Sequence, residues 1–433
     1  MAASSYNLRR VFFQLILIIV LFFPNSADAQ FVKGADIGWL SQMEATGYNF
    51  YDTNNVQKDC LDLLKERGIN TVRLRVFVNP SNDKVNGHCS KKEVAAMALR
   101  AKNMGMRIMI DFHYSDSWAD PGKQNKPAAW AGHTFSQLLS DLYNHTYDVL
   151  DTLKSIGAKP DWVQIGNEIS GGMLWPEGST SNWIQLAQLL NKGYDAVKAV
   201  DSTIKVIIHL DSGNDNNKFR IFFDNAQSHG VRYDIIGASY YPYWEGHDYT
   251  VTIDDLGNNL NGMVTRYGKE VMVVEVGGPY NLVQNTYDML VAVIRKADAV
   301  PNHMGLGVIY WEPEGEKSWS GYNLSCWNSD GKPTRALNAF LIDVSTGVSE
   351  ITGEAGFKIS SNPNADGLFN FEIKGMTGIS EIRIYDLEGR LVKEQTSDNL
   401  TKVRLNLGVS GGIYILVFSN QNMTIVRKLL VDP

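Results

Sequence analysis

Cysteine is scarce here: the 433 residues contain three, Cys60, Cys89 and Cys326. An odd number cannot all pair within one chain. A Cys60–Cys89 bridge is open to it and would leave Cys326 free. No Cys/His cluster has metal-ligand spacing, so no metal and no other cofactor is expected. A basic excess is missing too. Lys and Arg total 40 against 47 Asp and Glu, a net charge of −7. That balance argues against nucleic acid, whose phosphates need a basic surface. No G-x-G-x-x-G or P-loop follows the first strand-like run, which argues against a dinucleotide-binding sheet.

Long apolar runs are also lacking, with one exception. Residues 11–23 are apolar but for Gln14, follow Arg9 and Arg10, and precede Ala27-Asp28-Ala29. The run is shorter than the ~20 residues of a spanning helix. The order of charge, apolar run and small-residue site is that of a secretory signal peptide over 1–29, cleaved near Ala29. No Cys follows to carry a lipid anchor. The exported chain is expected to be soluble and monomeric.

What is abundant is alternation. Between residues 31 and 343, apolar strand-like runs at 32–40, 69–78, 106–114, 161–168, 203–210, 233–241, 270–277 and 305–313 alternate with helical periodicity, as at 55–67, 91–104 and 183–200. Several runs are nearly continuous in Val, Ile and Leu, as strands covered on both faces are. Eight such units predict an α/β fold, a (β/α)8 TIM barrel. Residues 344–355 read as a polar linker. Over 356–433, short alternating runs at 368–374, 380–386, 403–407, 412–418 and 424–431 predict a small C-terminal β-sandwich.

A barrel of this kind carries its chemistry at the C-terminal ends of its strands. The run ends hold Arg73 and Arg75, Asp111-Phe112-His113-Tyr114, Gly166-Asn167-Glu168, Ser239-Tyr240-Tyr241, Val274-Glu275 and Tyr310-Trp311-Glu312. Glu168 and Glu275 follow apolar residues on the fourth and seventh strands, nearly across the barrel mouth from each other. One glutamate at a strand end reads equally well as a salt bridge. Two of them beside a strand-end Trp match what glycoside hydrolysis needs: one carboxyl to protonate the leaving oxygen, another to attack the anomeric carbon or activate water. Trp118, Trp175, Trp244 and Trp311 are candidates to stack on sugar rings, since an aromatic face covers the C–H face of a pyranose. Asp36, Asp116 and Asp120 read as substrate-binding or loop-positioning groups.

Several stretches carry a closer resemblance. They are Lys33-Gly34-Ala35-Asp36, residues 71–80, residues 111–124 with their S-D-x-W-A-D-P-G-x-Q pattern, Gly172-Met173-Leu174-Trp175-Pro176, Ser239-Tyr240-Tyr241-Pro242-Tyr243-Trp244 and Tyr310-Trp311-Glu312-Pro313. With Asn167-Glu168 and Glu275, these resemble glycoside hydrolase family 53 of clan A, the endo-β-1,4-galactanases, over nearly all of 31–343. The resemblance implies a retaining hydrolase of β-1,4-galactan with Glu168 as acid/base and Glu275 as nucleophile. It further implies that Arg73 keeps Glu275 ionised, Tyr240 donates to the nucleophile, and Asn167 bonds the sugar 2-OH. His113 either orients this network or is structural. The calcium loop of many bacterial members is absent after Glu275. The tail resembles type IX secretion sorting domains in Asn362-Pro363, residues 384–389, Gly411-Gly412-Ile413-Tyr414 and Arg427-Lys428-Leu429, which implies secretion machinery as a partner beside the polysaccharide. Other readings are a mannanase, xylanase or β-galactosidase of the same clan, and a non-catalytic carbohydrate-binding protein.

Overall fold

The computed structural model describes residues 30–342 and 344, and then the segments 357–360, 368–373, 380–386, 389–397, 402–409, 411–420 and 424–431. The expected leader, nearly all of the linker and Asn362-Pro363 lie outside the described residues. The chain divides into two compact units between Val344 and Ser345.

In the first unit, eight parallel strands close into a barrel in chain order. They are β1 (Val32–Asp36), β2 (Thr71–Val76), β3 (Arg107–Phe112), β4 (Trp162–Ile165), β5 (Lys205–Leu210), β6 (Ile235–Tyr240), β7 (Glu270–Val276) and β8 (Gly305–Trp311). β1 pairs with β8 to complete the ring. The helices are α1 (Leu40–Ala45), α2 (Cys60–Glu66), α3 (Lys91–Asn103), α4 (Phe135–Ser155), α5 (Trp183–Val200), α6 (Asn216–Ser228), α7 (Tyr249–Tyr267), α8 (Val283–Asp298) and α9 (Lys317–Ser320). Capping boxes start two of them: Ser90 with Glu93 on α3, and Thr134 with Gln137 on α4. The reading of a helix from residue 55 is too long at its start. The Asp52 carboxylate accepts from the N–H groups of Asn54 and Val56 to form a turn, and Asp59 then caps α2 at Leu61.

Alternation along each strand sorts side chains between two interiors. Val72, Leu74 and Val76 face the helices, while Val32, Met109, Trp162, Ile207, Ile235, Met272, Val274 and Ile309 form a separate apolar cluster. On strands facing the axis, the next inward positions carry polar side chains: Asp36, Arg73, Asp111, Gln164 and His209, each fully buried. An apolar plug thus underlies a charged layer.

The three cysteines are all free and buried, so the Cys60–Cys89 bridge is not formed. The Cys89 thiol instead donates to the Gly38 carbonyl at 3.3 Å.

The second unit has two antiparallel sheets. One orders β13 (Lys402–Asn406), β10 (Leu368–Ile373) and β9 (Phe357–Ser360); the other orders β12 (Leu391–Ser397), β11 (Ser380–Tyr385), β14 (Gly412–Asn420) and β15 (Thr424–Val431). Phe369, Phe371, Ile382, Ile384, Leu416 and Phe418 share their core. Sequence reading misses β9 and β12. β12 is an edge strand whose Leu391 is exposed, so it carries no apolar alternation.

Because each unit has its own core, the barrel produced alone over residues 30–344 is expected to fold and to unfold in one cooperative transition by calorimetry. A broad, non-cooperative melt of that fragment would mean the barrel needs the tail.

Candidate active site

Arg73 is the centre of the charged layer, and water does not reach it. Its Nη1 donates to Asp36 at 2.7 Å, and its Nη2 lies 2.8 Å from Asp111 and 2.9 Å from Glu275 Oε1. Nη2 also donates to Asn167 Oδ1 at 3.0 Å. Burial opposes the guanidinium charge, but the three carboxylates more than offset it and hold Arg73 cationic.

Glu275 reaches the mouth because β7 is irregular. Its pairing with β6 slips so that Ala238 faces Val273 but Ser239 faces Glu275. Such a bulge re-aims a side chain. The other carboxylate oxygen of Glu275 accepts from the Tyr241 hydroxyl at 3.0 Å. Burial pushes Glu275 up to about 7, with Arg73 and the Tyr241 hydrogen bond opposing that rise.

Glu168 leaves β4 through a left-handed backbone, φ 48°, after Gly166 at φ 82°. A non-glycine residue in that region is uncommon and is found at functional sites. Its Oε1 accepts from Ser239 Oγ at 2.6 Å, and among the described residues no cation pairs with it. Burial, then the charge of Glu275, push Glu168 well above the usual carboxyl range, only partly offset by Ser239. Two carboxyls therefore face one cleft in opposite surroundings, one beside a cation and one beside a hydroxyl.

The cleft has a volume of about 410 Å³, and both glutamates line it with His113, Trp118, Asp120, Asn167, Tyr241, Trp244, Trp311 and Tyr322. His113 donates from Nε2 to Asp111 at 3.0 Å and accepts at Nδ1 from the Ala119 N–H, so it is a strut of the network as well as a wall. Asn167 gives Nδ2–H to the Ala119 carbonyl and keeps a second amide hydrogen. Trp118 carries the Arg75 guanidinium 4.2 Å from its ring centre and packs edge-on against Trp311 at 5.6 Å. Gly38 is needed there, because a Cβ would overlap that guanidinium. Trp244, 59% exposed, stands on the rim against Tyr243.

Two expectations are corrected, those for Tyr240 and Trp175, and the two open readings of Asp36 and Asp116 are narrowed. Sequence reading gives Tyr240 the hydrogen bond to Glu275, but the structure gives it to Tyr241. Ile235, Gly237, Ser239 and Tyr241 share the inward parity, while Tyr240 turns outward to Thr252 and the Tyr249 carbonyl of α7. Trp175 does not line the cleft; its indole N–H closes a loop on the Gly171 carbonyl. Asp36 is fully buried between Arg73 and Arg75 and holds them rather than a ligand. Asp116 accepts from the N–H groups of Asn79 and Ala128 and so ties two loops together. Asp120 does line the cleft. Sequence reading missed Ser239, Tyr241, His209 and Tyr322; strand parity alone would have found the first three.

A second cavity of about 500 Å³ on the barrel flank is lined by Glu44, Lys58, Asp59 and Arg100 among others. Its charges are already paired, Arg100 with Glu44 and Asp59, and Lys58 with Asp52 and Glu66. Nothing there converges on a ligand. Among the described residues no group of three His, Cys, Asp or Glu could hold a metal ion.

Residues 32–342 match the model of Glycosyl hydrolase family 53, and residues 361–432 match that of the Secretion system C-terminal sorting domain. A probable arabinogalactan endo-β-1,4-galactanase A of Neosartorya fischeri is 35% identical over 69% of this chain and 88% of its own length. An endo-β-1,4-galactanase of Bacillus subtilis is 32% identical over 70% of this chain and 76% of its own. Among solved structures, the family 53 catalytic domain of Ignisphaera aggregans is 33% identical, with a TM-score of 0.68 over 72% of this chain and 96% of that one.

The Glu168 environment has a consequence for stability. A carboxyl that binds its proton more tightly when folded makes stability fall as pH rises above its unfolded value of 4.5. Glu168→Gln cannot ionise, so it is expected to melt above the wild type at pH 8. The difference should vanish near pH 4, where both forms are neutral. Thermal melts at the two pH values check this; a variant that melts lower at pH 8 would contradict the burial argument.

Proposed function

The chain belongs to glycosyl hydrolase family 53, and on that premise we propose that it is a retaining endo-hydrolase of β-1,4-galactan, such as the galactan side chains of pectin. One observation carries the mechanism. The two cleft carboxyls are held unequally, Glu275 by Arg73 and Tyr241, and Glu168 by Ser239 alone. Glu275 is the better anion and attacks the anomeric carbon. Glu168 keeps its proton and delivers it to the glycosidic oxygen as the C–O bond breaks. That transfer leaves Glu168 a carboxylate, which stays ionised because Glu275, now an ester, no longer repels it, and which then takes a proton from the incoming water. The water's oxygen then displaces the ester, and two inversions leave the anomeric configuration retained.

The remaining walls serve binding. Trp311, Trp118 and the rim residue Trp244 offer faces for pyranose rings, and the free amide hydrogen of Asn167 is placed for a sugar hydroxyl. The sorting-domain match supports a secreted or cell-surface protein, and the leader at 1–29 would begin that export.

The test is product analysis of the wild type, Glu168→Gln and Glu275→Gln on galactan, xylan and mannan. Galactan alone should be cut internally, and NMR of the nascent reducing end should show the β-anomer. Glu275→Gln should lose all measurable turnover. Glu168→Gln should lose about 10²–10⁴-fold on galactan, yet far less on substrates whose leaving group needs no proton. Nascent α-anomer would overturn the double displacement, and preferred cleavage of xylan or mannan would overturn the substrate.

A further inference from the structure

Three neighbouring strands place inward-facing polar residues behind Glu168: Gln164 on β4, His209 on β5 and Ser239 on β6. All three are buried, His209 completely and Ser239 to 1% exposure. We propose that they form a one-way hydrogen-bond chain that keeps Oε1 of Glu168 an acceptor, and so places the transferable proton on Oε2. This rests on the reading of Glu168 as the acid/base.

The direction of the chain follows from its fixed end. Gln164 Oε1 accepts from Arg73 at 3.3 Å, and its Nε2 donates to Asp111 Oδ1 at 2.6 Å, so the amide cannot be turned round. For the second Nε2 hydrogen His209 Nδ1 is the nearest acceptor at 2.9 Å, with the Gly166 carbonyl and Asn167 Oδ1 both farther at 3.3 Å. The backbone N–H of Glu168 is aimed at the same nitrogen from 3.3 Å. Asn167 Oδ1 also lies 3.1 Å from Nδ1 and has a second lone pair beyond the one Arg73 uses, but a hydrogen on Nδ1 would collide with the Glu168 N–H, whose direction the backbone fixes. Two donors at Nδ1 make it the acceptor, which puts the ring hydrogen on Nε2.

From there each link is forced. Nε2–H donates to Ser239 Oγ at 2.7 Å, and the serine hydrogen has Glu168 Oε1 at 2.6 Å as its acceptor. The imidazole stays neutral throughout. Burial, then Arg73, bring His209 down to about 3, against the opposing charges of Asp111 and Asp211, with His113 also lowering it. No proton moves along the chain. Glu168 Oε2 gives its hydrogen to the leaving oxygen and later recovers one from water, while Ser239 stabilises the carboxylate between the two steps. Ser239 and His209 are positioning residues, acting through Glu168.

Ser239→Ala removes the last donor. Its loss on galactan should be about 10- to 100-fold, the range of a hydrogen bond to a charged group. The deficit should shrink strongly on a 2,4-dinitrophenyl galactobioside, which leaves without protonation. Losing a donor to the anion also raises Glu168, so the alkaline limb of kcat/KM should move to higher pH. The acid limb, set by Glu275, should stay in place, since Arg73, Asp111, Asp36 and Tyr241 around it are unchanged. Ser239→Thr should restore the wild-type profile. His209→Gln, which keeps a donor where Nε2 stands, should approach it. Equal losses on both substrates with neither limb moved would overturn the chain and leave Ser239 merely structural. Glu168→Gln assayed in parallel separates the two readings. If it cleaves galactan at the wild-type rate, the acid/base assignment fails; if it is impaired while Ser239→Ala moves no limb, only the chain fails.

Discussion

A guanidinium sealed from water keeps its charge only when carboxylates surround it, and Arg73 has Asp36, Asp111 and Glu275 within hydrogen-bond reach. The dependence runs both ways. Breaking even one buried ion pair typically costs about 3–5 kcal/mol, because the partner is left charged in a poor solvent. Here three carboxylates share one cation, and two further residues, Asn167 and Gln164, also accept from its Nη2. Through these contacts Arg73 orients residues from β1, β3, β4 and β7 at once. Arg75 repeats the arrangement one inward step higher, held by Asp36 and Glu312 beneath the Trp118 ring.

That layer makes the site asymmetric. The barrel supplies a dry, apolar floor, so every charge above it must find a partner or bind a proton. Glu275 finds the cation. Glu168, displaced from the strand by its left-handed backbone, finds only a hydroxyl. Two chemically identical side chains thereby come to hold protons with different strength, and that difference is what a two-step displacement uses. Glu312 and Glu314 show the same rule without a cleft. Burial raises both, Glu312 to about 7 despite Arg75, and Glu314 well above its ordinary range beside Glu312.

The barrel was legible in the sequence because its strands are covered on both faces and leave near-continuous apolar runs. The paired glutamates were legible because each ends such a run. What failed was finer than hydrophobicity. Assigning Tyr240 rather than Tyr241 was an error of parity, since one residue along a strand exchanges cleft for helix packing. The bulge at Val274 that turns Glu275 to the mouth has no compositional signal. Trp175 and Asp116 sit in motifs that hold loops together, and a motif does not say which of its residues reaches the cleft. His209 and Ser239 stand in apolar or small-residue runs that draw no notice, although strand parity turns both inward. In the tail, β12 shows no alternation because it borders solvent.

At the centre of the proposed chemistry Arg73 holds Glu275 as the anion while Glu168 retains the proton. The most direct measurement is a carboxyl-carbon NMR titration of the protein labelled at glutamate, with Glu168→Gln and Glu275→Gln used to assign the two signals. The Glu275 carbon should titrate at the lower pH, and the Glu168 carbon should report a protonated carboxyl as Glu275 ionises. A lower titration for Glu168 than for Glu275 would contradict it.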